Sequence, residues 1–451
     1  MWKKIIDYYN NLTPARVIVA YYVLTVTIST ILLSLPISRK PDAPWSFLDG
    51  LFTAVSAVSV TGLTTINISE TFTTFGIFIL ILVLQVGGIG IMALGTFFWI
   101  LVRKKIGLKE RRLIMADQNQ ISLSGLVQLL RQLLLIIFVI ELVGALILGT
   151  YYLHYFSNWK EAYLNGLFSS VSATTNAGFD ITGESLVPFA HDYFVQLIHI
   201  LLIILGAIGF PVLIELKNFL LRKNSKEKNN FSLNTKLSTI TYFGLLLLGA
   251  ISYFIFEAQF FLKDKSWHES LFYALFHSAS TRSGGLVTMD ISQLADPTLL
   301  MLSGLMFIGA SPSSVGGGIR TTTFALTILF FFYFAKGNRS IKIFKREIHE
   351  DDVMKAFVVS TLAVLLCFSS VIILSLTEDA SLMAIIFEVC SAFGTSGMSL
   401  GITADLSSVG KIVIMLLMFI GRVGVLLFIF MIGGKMKTDN FHYPKERIII
   451  G

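Results

Sequence analysis

Residues Leu51–Leu63 read LFTAVSAVSVTGL, a run of apolar and small residues that ends in a polar residue, a glycine and a large apolar side chain. The pattern returns three times, as LFSSVSATTNAGF over Leu167–Phe179, LFHSASTRSGGL over Leu275–Leu286 and FEVCSAFGTSGM over Phe387–Met398. The closing glycines, Gly62, Gly178, Gly285 and Gly397, recur roughly every 110 residues, which marks a chain built from four versions of one unit. The register of the third copy is open. Counting from Ser278-Ala279 selects Gly284, while counting from Phe276 or Arg282 leaves Gly285.

A chain of 451 residues that is 54% apolar and 14% charged is not an ordinary soluble domain, which carries about 25% charge. Several apolar runs exceed the roughly 20 residues needed to cross a bilayer. The net charge of +7 raises nucleic acid as a partner, but the basic residues stand in short clusters between apolar runs: Arg103–Arg112, Lys217–Lys236, Lys336–Lys355 and Lys435–Arg447. That alternation is the positive-inside signature of a multi-pass membrane protein. It places these segments and both termini in the cytoplasm, with membrane lipid and not nucleic acid as the surroundings. Cys367 and Cys390 offer neither a metal spacing nor a disulfide framework and read as buried. The run from Arg16 to Pro36 reads as a first span, without a small-residue cleavage site.

Each unit reads as long helix, short re-entrant segment, long helix. Trp45–Ser59, Trp159–Thr174, His268–Thr281 and Ser381–Phe393 are too short to cross a core of about 30 Å, so each enters and returns on one side. Flanking them are the spans Val17–Leu35 and Phe75–Val102, Gln128–Leu153 and Tyr193–Leu221, Leu237–Leu262 and Leu299–Phe334, and Val353–Leu376 and Val409–Ile432. The expectation is an all-α polytopic membrane protein of eight spans and four re-entrant pore hairpins around one central pore. Its units are 1–106, 107–223, 224–348 with a broken inner helix, and 349–451 with a short tail. Lys104–Leu126 and Asn224–Asn234 are the linkers.

Non-helical backbone at membrane depth is tolerated only where protein buries it or where it lines a wet cavity. Four such segments on one axis can replace a cation's water shell with carbonyl oxygens. Glycine suits the turn because it takes φ > 0 without penalty, and the negative end of each preceding half-helix favours a cation. The candidate ion-binding residues are Val60, Thr61 and Gly62; Asn176, Ala177 and Gly178; Ser283, Gly284 and Gly285; and Thr395, Ser396 and Gly397. Thr61, Asn176, Ser283, Thr395 and Ser396 are expected to brace the loops through their polar side chains.

Gly309, Ala310, Ser311, Pro312, Ser313, Ser314, Val315, Gly316, Gly317 and Gly318 cannot continue a helix, since proline costs about 3 kcal/mol and each glycine about 1. A phosphate loop is excluded because no Gly-Lys-Ser/Thr follows. Arg422 lies in an apolar run, and a guanidinium at membrane depth is expensive and marks function or a paired brace. Arg282 reads as a brace with Glu388 or Glu269 as partner. Glu141 and Glu215 read as bracing or near-interface acids, His199 and His277 as packed, and Phe330–Phe334 as lipid-facing.

Val60-Thr61-Gly62-Leu63, Asn176-Ala177-Gly178-Phe179 and Ser391-Ala392-Phe393-Gly394-Thr395 resemble the Trk/Ktr/HKT superfamily of potassium transporters. Gln85-Val86-Gly87-Gly88-Ile89-Gly90, Phe307-Ile308-Gly309-Ala310 and Phe419-Ile420-Gly421-Arg422-Val423-Gly424 extend the resemblance over essentially the whole chain. With a short lead before the first span, it is nearest to the bacterial Ktr membrane subunits (KtrB- or KtrD-like). The resemblance implies potassium as the transported ion, held at the filter only, with no covalent cofactor and no enzyme activity. In that family an Arg precedes the third filter glycine by three residues, so Arg282 selects Gly285. It further implies that Ser311–Gly318 gate the pore together with Arg422, that sodium activates transport, and that the subunit forms a homodimer with one pore per protomer. The implied partner is a cytoplasmic KtrA/KtrC-like ring, and any nucleotide sits on that partner. Against this stands an alternating-access secondary cation transporter, a class that usually shows inverted or long parallel repeats with discontinuous spans. A membrane enzyme lacks any recognisable His-Glu, Cys-His or Ser-His-Asp set here.

Overall fold

The computed structural model describes residues 13–90, 115, 126–221, 231–338, 340–433, 444, 446, 448 and 449. The first unit holds α1 (Pro14–Ser34), α2 (Phe47–Ser59) and α3 (Thr74–Ile89). The second holds α4 (Leu126–Tyr152), α5 (Trp159–Thr174), α6 (Tyr193–Ala207) and α7 (Phe210–Leu220). In the third are α8 (Leu233–Glu257), α9 (Trp267–Ser280), α10 (Asp296–Phe307) and α11 (Thr321–Ala335). An antiparallel hairpin, β1 (Lys342–Ile343) and β2 (Arg346–Glu347), leads to α12 (Glu350–Thr377), α13 (Leu382–Gly394), α14 (Ser408–Val423) and α15 (Val425–Gly433).

Among the described residues four helices (α1, α4, α8 and α12) are long and apolar enough to cross a membrane, and the number rises to six if each bent pair is one span. The short helices α2, α5, α9 and α13 begin where the sequence supplies caps. Ser46 Oγ accepts from the Asp49 N–H at 3.1 Å, Ser381 Oγ accepts from Ala384, and Ser266 with Glu269 forms a reciprocal capping box. At 13 to 16 residues they run about 20–24 Å, short of the hydrocarbon thickness. Each carries a fully buried phenylalanine at a matching place (Phe52, Phe168, Phe276 and Phe387).

Contacts between units follow one rule. Each third-position helix packs on the short helix of its own unit or its long helix, and also on the short helix of the next: α3 on α5, α6 on α9, α10 on α13, and α14 back on α2. The fourth unit therefore meets the first. An ion pair reinforces that seam, with Lys411 Nζ at 2.9 Å from Asp49 Oδ1. Phe331, Phe332 and Phe334 are exposed, the surface expected of a helix facing lipid.

Two expected spans are not continuous. Tyr193–Leu221 bends by 105° between α6 and α7, and Val409–Ile432 by 99° between α14 and α15. Gly209 (φ 102°) and Gly424 (φ 95°) sit at the bends, and Pro211 just after the first cannot supply a ladder N–H. Gly90 (φ 95°) ends α3 in the same way. The rest of the expected Phe75–Val102 span, the Arg103–Arg112 cluster, most of both linkers and most of the Lys435–Arg447 tail lie outside the described residues. Cys367 is buried, and Cys390 is only half-buried.

Candidate ion-conduction site

The short helices do not fray into their loops; each is stopped by one residue forced into the left-handed region. These are Val60 (φ 57°), Asn176 (φ 52°), Ser283 (φ 67°) and Thr395 (φ 47°), and two residues after each comes a glycine with positive φ: Gly62 (95°), Gly178 (66°), Gly285 (71°) and Gly397 (94°). In the third loop the repeated pair falls on Ser283 and Gly285. For a β-branched residue such as Val60 this conformation costs about 1–3 kcal/mol and persists only where the surroundings over-determine it.

Neighbouring glycines approach so closely that no side chain fits between them. A Cβ on Gly62 would stand 2.5 Å from Ala177 O, and one on Gly178 would stand 2.8 Å from Gly285 Cα. One on Gly285 would strike Ser396 O, and one on Gly397 would strike Thr61 O and lie 3.1 Å from Gly62 Cα. First loop meets second, second meets third, third meets fourth and fourth meets first. The loops form a closed ring of backbone, with the C-terminus of one short helix running into each.

Four serines that sequence reasoning passed over hold this geometry. Backbone N–H groups of Thr61, Ala177, Gly284 and Ser396 donate to the carbonyls of Ser56, Ser172, Ser280 and Ser391 at 2.9, 2.7, 2.6 and 2.8 Å. Their hydroxyls work on the same turns. Ser56 and Ser391 accept from the Gly62 and Gly397 N–H groups, while Ser172 and Ser280 donate to the carbonyls of Phe179 and Leu286. The Ser-Ala step in three of the four copies was the visible signal.

The expected polar braces divide. Ser283 Oγ donates to Gly394 O at 3.0 Å, Ser396 Oγ contacts Ser280 O at 3.4 Å, and the Asn176 amide, oriented to satisfy both ends, donates to Ala173 O at 2.8 Å. Thr61 and Thr395 do not brace: their buried hydroxyls have no hydrogen-bond partner among the described residues. The Thr395 hydroxyl instead faces Gly317, whose added Cβ would lie 2.5 Å from it.

Residues 309–318 run directly against the ring. A Cβ on Gly316 would stand 2.5 Å from Ser283 Oγ. The segment is bonded to the other units: Ser311 N–H donates to Ala207 O (3.0 Å), Val315 N–H to Gly206 O (3.3 Å) and Gly318 N–H to Gly421 O (3.2 Å), while Ser313 O accepts from Phe210 N–H (2.8 Å). Within it, Ala310 N–H donates to Gly317 O, and Ser314 Oγ to Ser311 O at 2.6 Å. Pro312 and Gly318 border a cavity of about 740 Å³ on the far side, which Arg320 and Gly424 also line. On the other side of the ring a smaller cavity of about 210 Å³ is lined by Gly62, Gly178, Phe179 and Asp180. The order of features is thus small cavity, loops, segment 309–318, larger cavity.

Arg422 reaches across this path. Its guanidinium donates to Val315 O in the segment, to Gly87 O, and to Gly88 O at 3.1 Å. A second cation, Arg320, was missed in the sequence because it follows the glycine-rich break instead of standing inside an apolar run; it donates to Gly316 O. Arg282 is a brace, but not to a carboxylate. Fully buried, it donates to Leu305 O (2.5 Å) and Ile308 O (2.6 Å), carbonyls left over at the end of α10, where the helix dipole favours a cation. Glu269 is occupied in its capping box, and Glu388 is bonded to Ser399 and Thr403. Glu141 accepts from Gln85 Nε2 at 2.5 Å, joining α4 to α3, and Glu215 accepts from the Ser232 N–H near the segment ends. His199 and His277 are buried, each bonded through Nδ1 to a carbonyl one turn back.

Comparison with known proteins agrees with this geometry. The family model described as "TrkH: Cation transport protein" matches residues 10–442. The chain is 61% identical over 440 residues to the Ktr system potassium uptake protein D of Bacillus subtilis (strain 168), covering 98% of both chains. It is 35% identical over 449 residues to the Ktr system potassium uptake protein B of the same organism, covering 97% of both. Its fold is similar to the crystal structure of the potassium transporter TrkH from Vibrio parahaemolyticus, with a TM-score of 0.71 at 17% identity over 90% of this chain and 83% of that one. These relatives are transport proteins and not enzymes, and the chain belongs to the TrkH family of cation transport proteins.

Proposed function

We propose that this chain is the potassium-translocating membrane subunit of a Ktr-type uptake system, selecting K⁺ with four glycine-containing loops and gated by residues 309–318. The observation that carries the reading is the closed ring of four loops, each entered by the C-terminus of a short helix and each holding the same positive-φ pair. Loop carbonyls then take the place of the ion's water shell, and four helix C-termini favour a cation at the centre. Thr61 and Thr395, whose hydroxyls have no partner among the described residues, are suited to face the ion path. Segment 309–318, lying between the ring and the larger cavity, is the gate, with Arg422 as its strap.

The wider organisation belongs to the same proposal: four units at 1–106, 107–223, 224–348 and 349–451, eight spans, both termini cytoplasmic, in the plasma membrane. So do a homodimer with one pore per protomer, a cytoplasmic KtrA/KtrC-like ring carrying the nucleotide, and activation by sodium. Alternating access between two repeat bundles accords less well with four parallel units whose loops meet in one ring.

The test is rescue of growth at low potassium in a host lacking its own uptake systems, for wild type and Gly397→Asp, each with and without a ring subunit. Rescue by wild type alone supports the reading. Failure of well-expressed wild type even with the ring overturns it.

A further inference from the structure

Glu388 is a carboxyl with no exposed surface, in the short helix α13, and no part of the conduction path uses it. Among the described residues no Lys, Arg or His lies in ion-pair distance of it. Its partners are two hydroxyls on the limb that leaves the fourth loop. Ser399 Oγ lies 2.7 Å from one carboxyl oxygen, Thr403 Oγ1 bonds the other, and the two hydroxyls are 2.9 Å apart. Ser399 Oγ also accepts from the Gly401 N–H at 3.0 Å.

Hydrogen counting decides the chemistry of this triangle. It has three contacts, but the two hydroxyls supply two hydrogens, because each Ser or Thr carries one donor. A carboxylate accepts only and leaves one contact between two lone-pair oxygens. A protonated carboxyl supplies the third hydrogen. Glu388 then donates to Thr403, Thr403 to Ser399 and Ser399 back to Glu388, and every group is satisfied. An unpaired charge at a site with no exposed surface would be far costlier than a neutral acid.

We propose that Glu388 is a protonated positioning residue, clamping the limb Met398–Thr403 against its own short helix so that Gly397 keeps its place in the ring. The other units hold no carboxyl there: three residues before the serines that tie their loops stand Thr53, Ser169 and His277. Their limbs are tied differently, the first by Thr65 donating to Asp49 at 2.8 Å and the second by Asp180 accepting from Thr182, Gly183 and Ser185. The clamp gives the fourth loop a stiffness that its two-residue spacing from Thr395 does not supply alone.

The selectivity role rests on the proposed potassium pore, and the charge state does not. The experiment uses the full chain in liposomes, with potassium and sodium tracer flux and infrared difference spectra between wild type and Glu388→Gln. Gln donates through its amide N–H and accepts through its carbonyl, so it can rebuild the ring and is expected to keep the K⁺-over-Na⁺ preference within about twofold. Glu388→Ala, and the nearly isosteric Thr403→Val as an independent probe, break the ring and are expected to lower that preference about tenfold. The difference spectrum is expected to show the C=O stretch of a protonated carboxylic acid lost in Glu388→Gln. Wild-type preference in Thr403→Val and Glu388→Ala, a fall in Gln as deep as in Ala, or absence of the acid band overturns the proposal. Wild type that conducts without preferring K⁺ overturns the parent reading and the selectivity role together, while the band still decides the clamp.

Discussion

Arg422→Gln is the sharpest test of the gate. In the structure the guanidinium donates to Val315 O in segment 309–318 and to Gly87 O and Gly88 O at the end of α3. If the segment moves while α3 and α14 stay, the bond to Val315 is the one that must break. A hydrogen bond to a charged group contributes about 1.5–3 kcal/mol net, and about 1.4 kcal/mol is a factor of ten. Removing the guanidinium should therefore shift the closed-to-open balance about ten- to a hundredfold toward open. The assay is potassium tracer flux into liposomes holding the chain without any ring subunit, where wild type is expected to be nearly silent. A cation in the path also repels potassium, so loss of charge alone raises flux. Arg422→Lys separates the two effects: it keeps the charge but loses the planar fork that joins α3 to segment 309–318. On hydrogen-bond reasoning its flux lies between wild type and Gln; on charge alone it equals wild type. A folded Arg422→Gln protein whose ring-free flux is no higher than that of wild type refutes the strap.

Two other substitutions follow from the site. Gly62→Ser places a Cβ against Ala177 O at a φ of 95°. It should lower the K⁺-over-Na⁺ preference measured by competitive tracer uptake while leaving expression intact, and an unchanged preference removes Gly62 from the filter. Arg282→Met orphans Leu305 O and Ile308 O at a fully buried site. It should destabilise the detergent-solubilised chain by about 3 kcal/mol or more, read as a lowered midpoint of thermal unfolding, whereas an unchanged midpoint shows that the α10 terminus does not need this brace.

The sequence exposed whatever is written in residue type and period. The short helices begin within two residues of their expected starts because Ser46, Asn158, Ser266 and Ser381 are local caps. The break at 309–318 was visible because proline and three consecutive glycines admit no helix. The bends at Gly209 and Gly424 were not, since an apolar run reads the same whether or not one φ inside it changes sign, even with the Gly-Phe-Pro signal at 209–211. The partner of Arg282 was misjudged for a related reason. A buried cation suggests a carboxylate, but the carbonyls that took it exist only once α10 ends at Phe307. The third-loop register needed backbone conformation, because Gly284 and Gly285 are alike as letters and only Gly285 follows the left-handed Ser283 at the right distance.

The broken helices and segment 309–318 are better understood as one device than as separate features. A helix that ends inside a membrane leaves carbonyls without partners, and nothing in hydrocarbon can satisfy them. Each unit solves this at the same level. Gly206 O and Ala207 O, at the end of α6, accept from Val315 and Ser311; Gly421 O, near the end of α14, accepts from Gly318. Gly87 O and Gly88 O, at the end of α3, accept from Arg422, and Leu305 O and Ile308 O, at the end of α10, accept from Arg282. One segment and two arginines thus serve four helix ends. On the gating reading, the segment cannot leave without orphaning carbonyls on α6 and α14, at a cost of about 1–3 kcal/mol each, unless water from the adjoining cavity replaces it. On that reading, opening the path and wetting it become the same event.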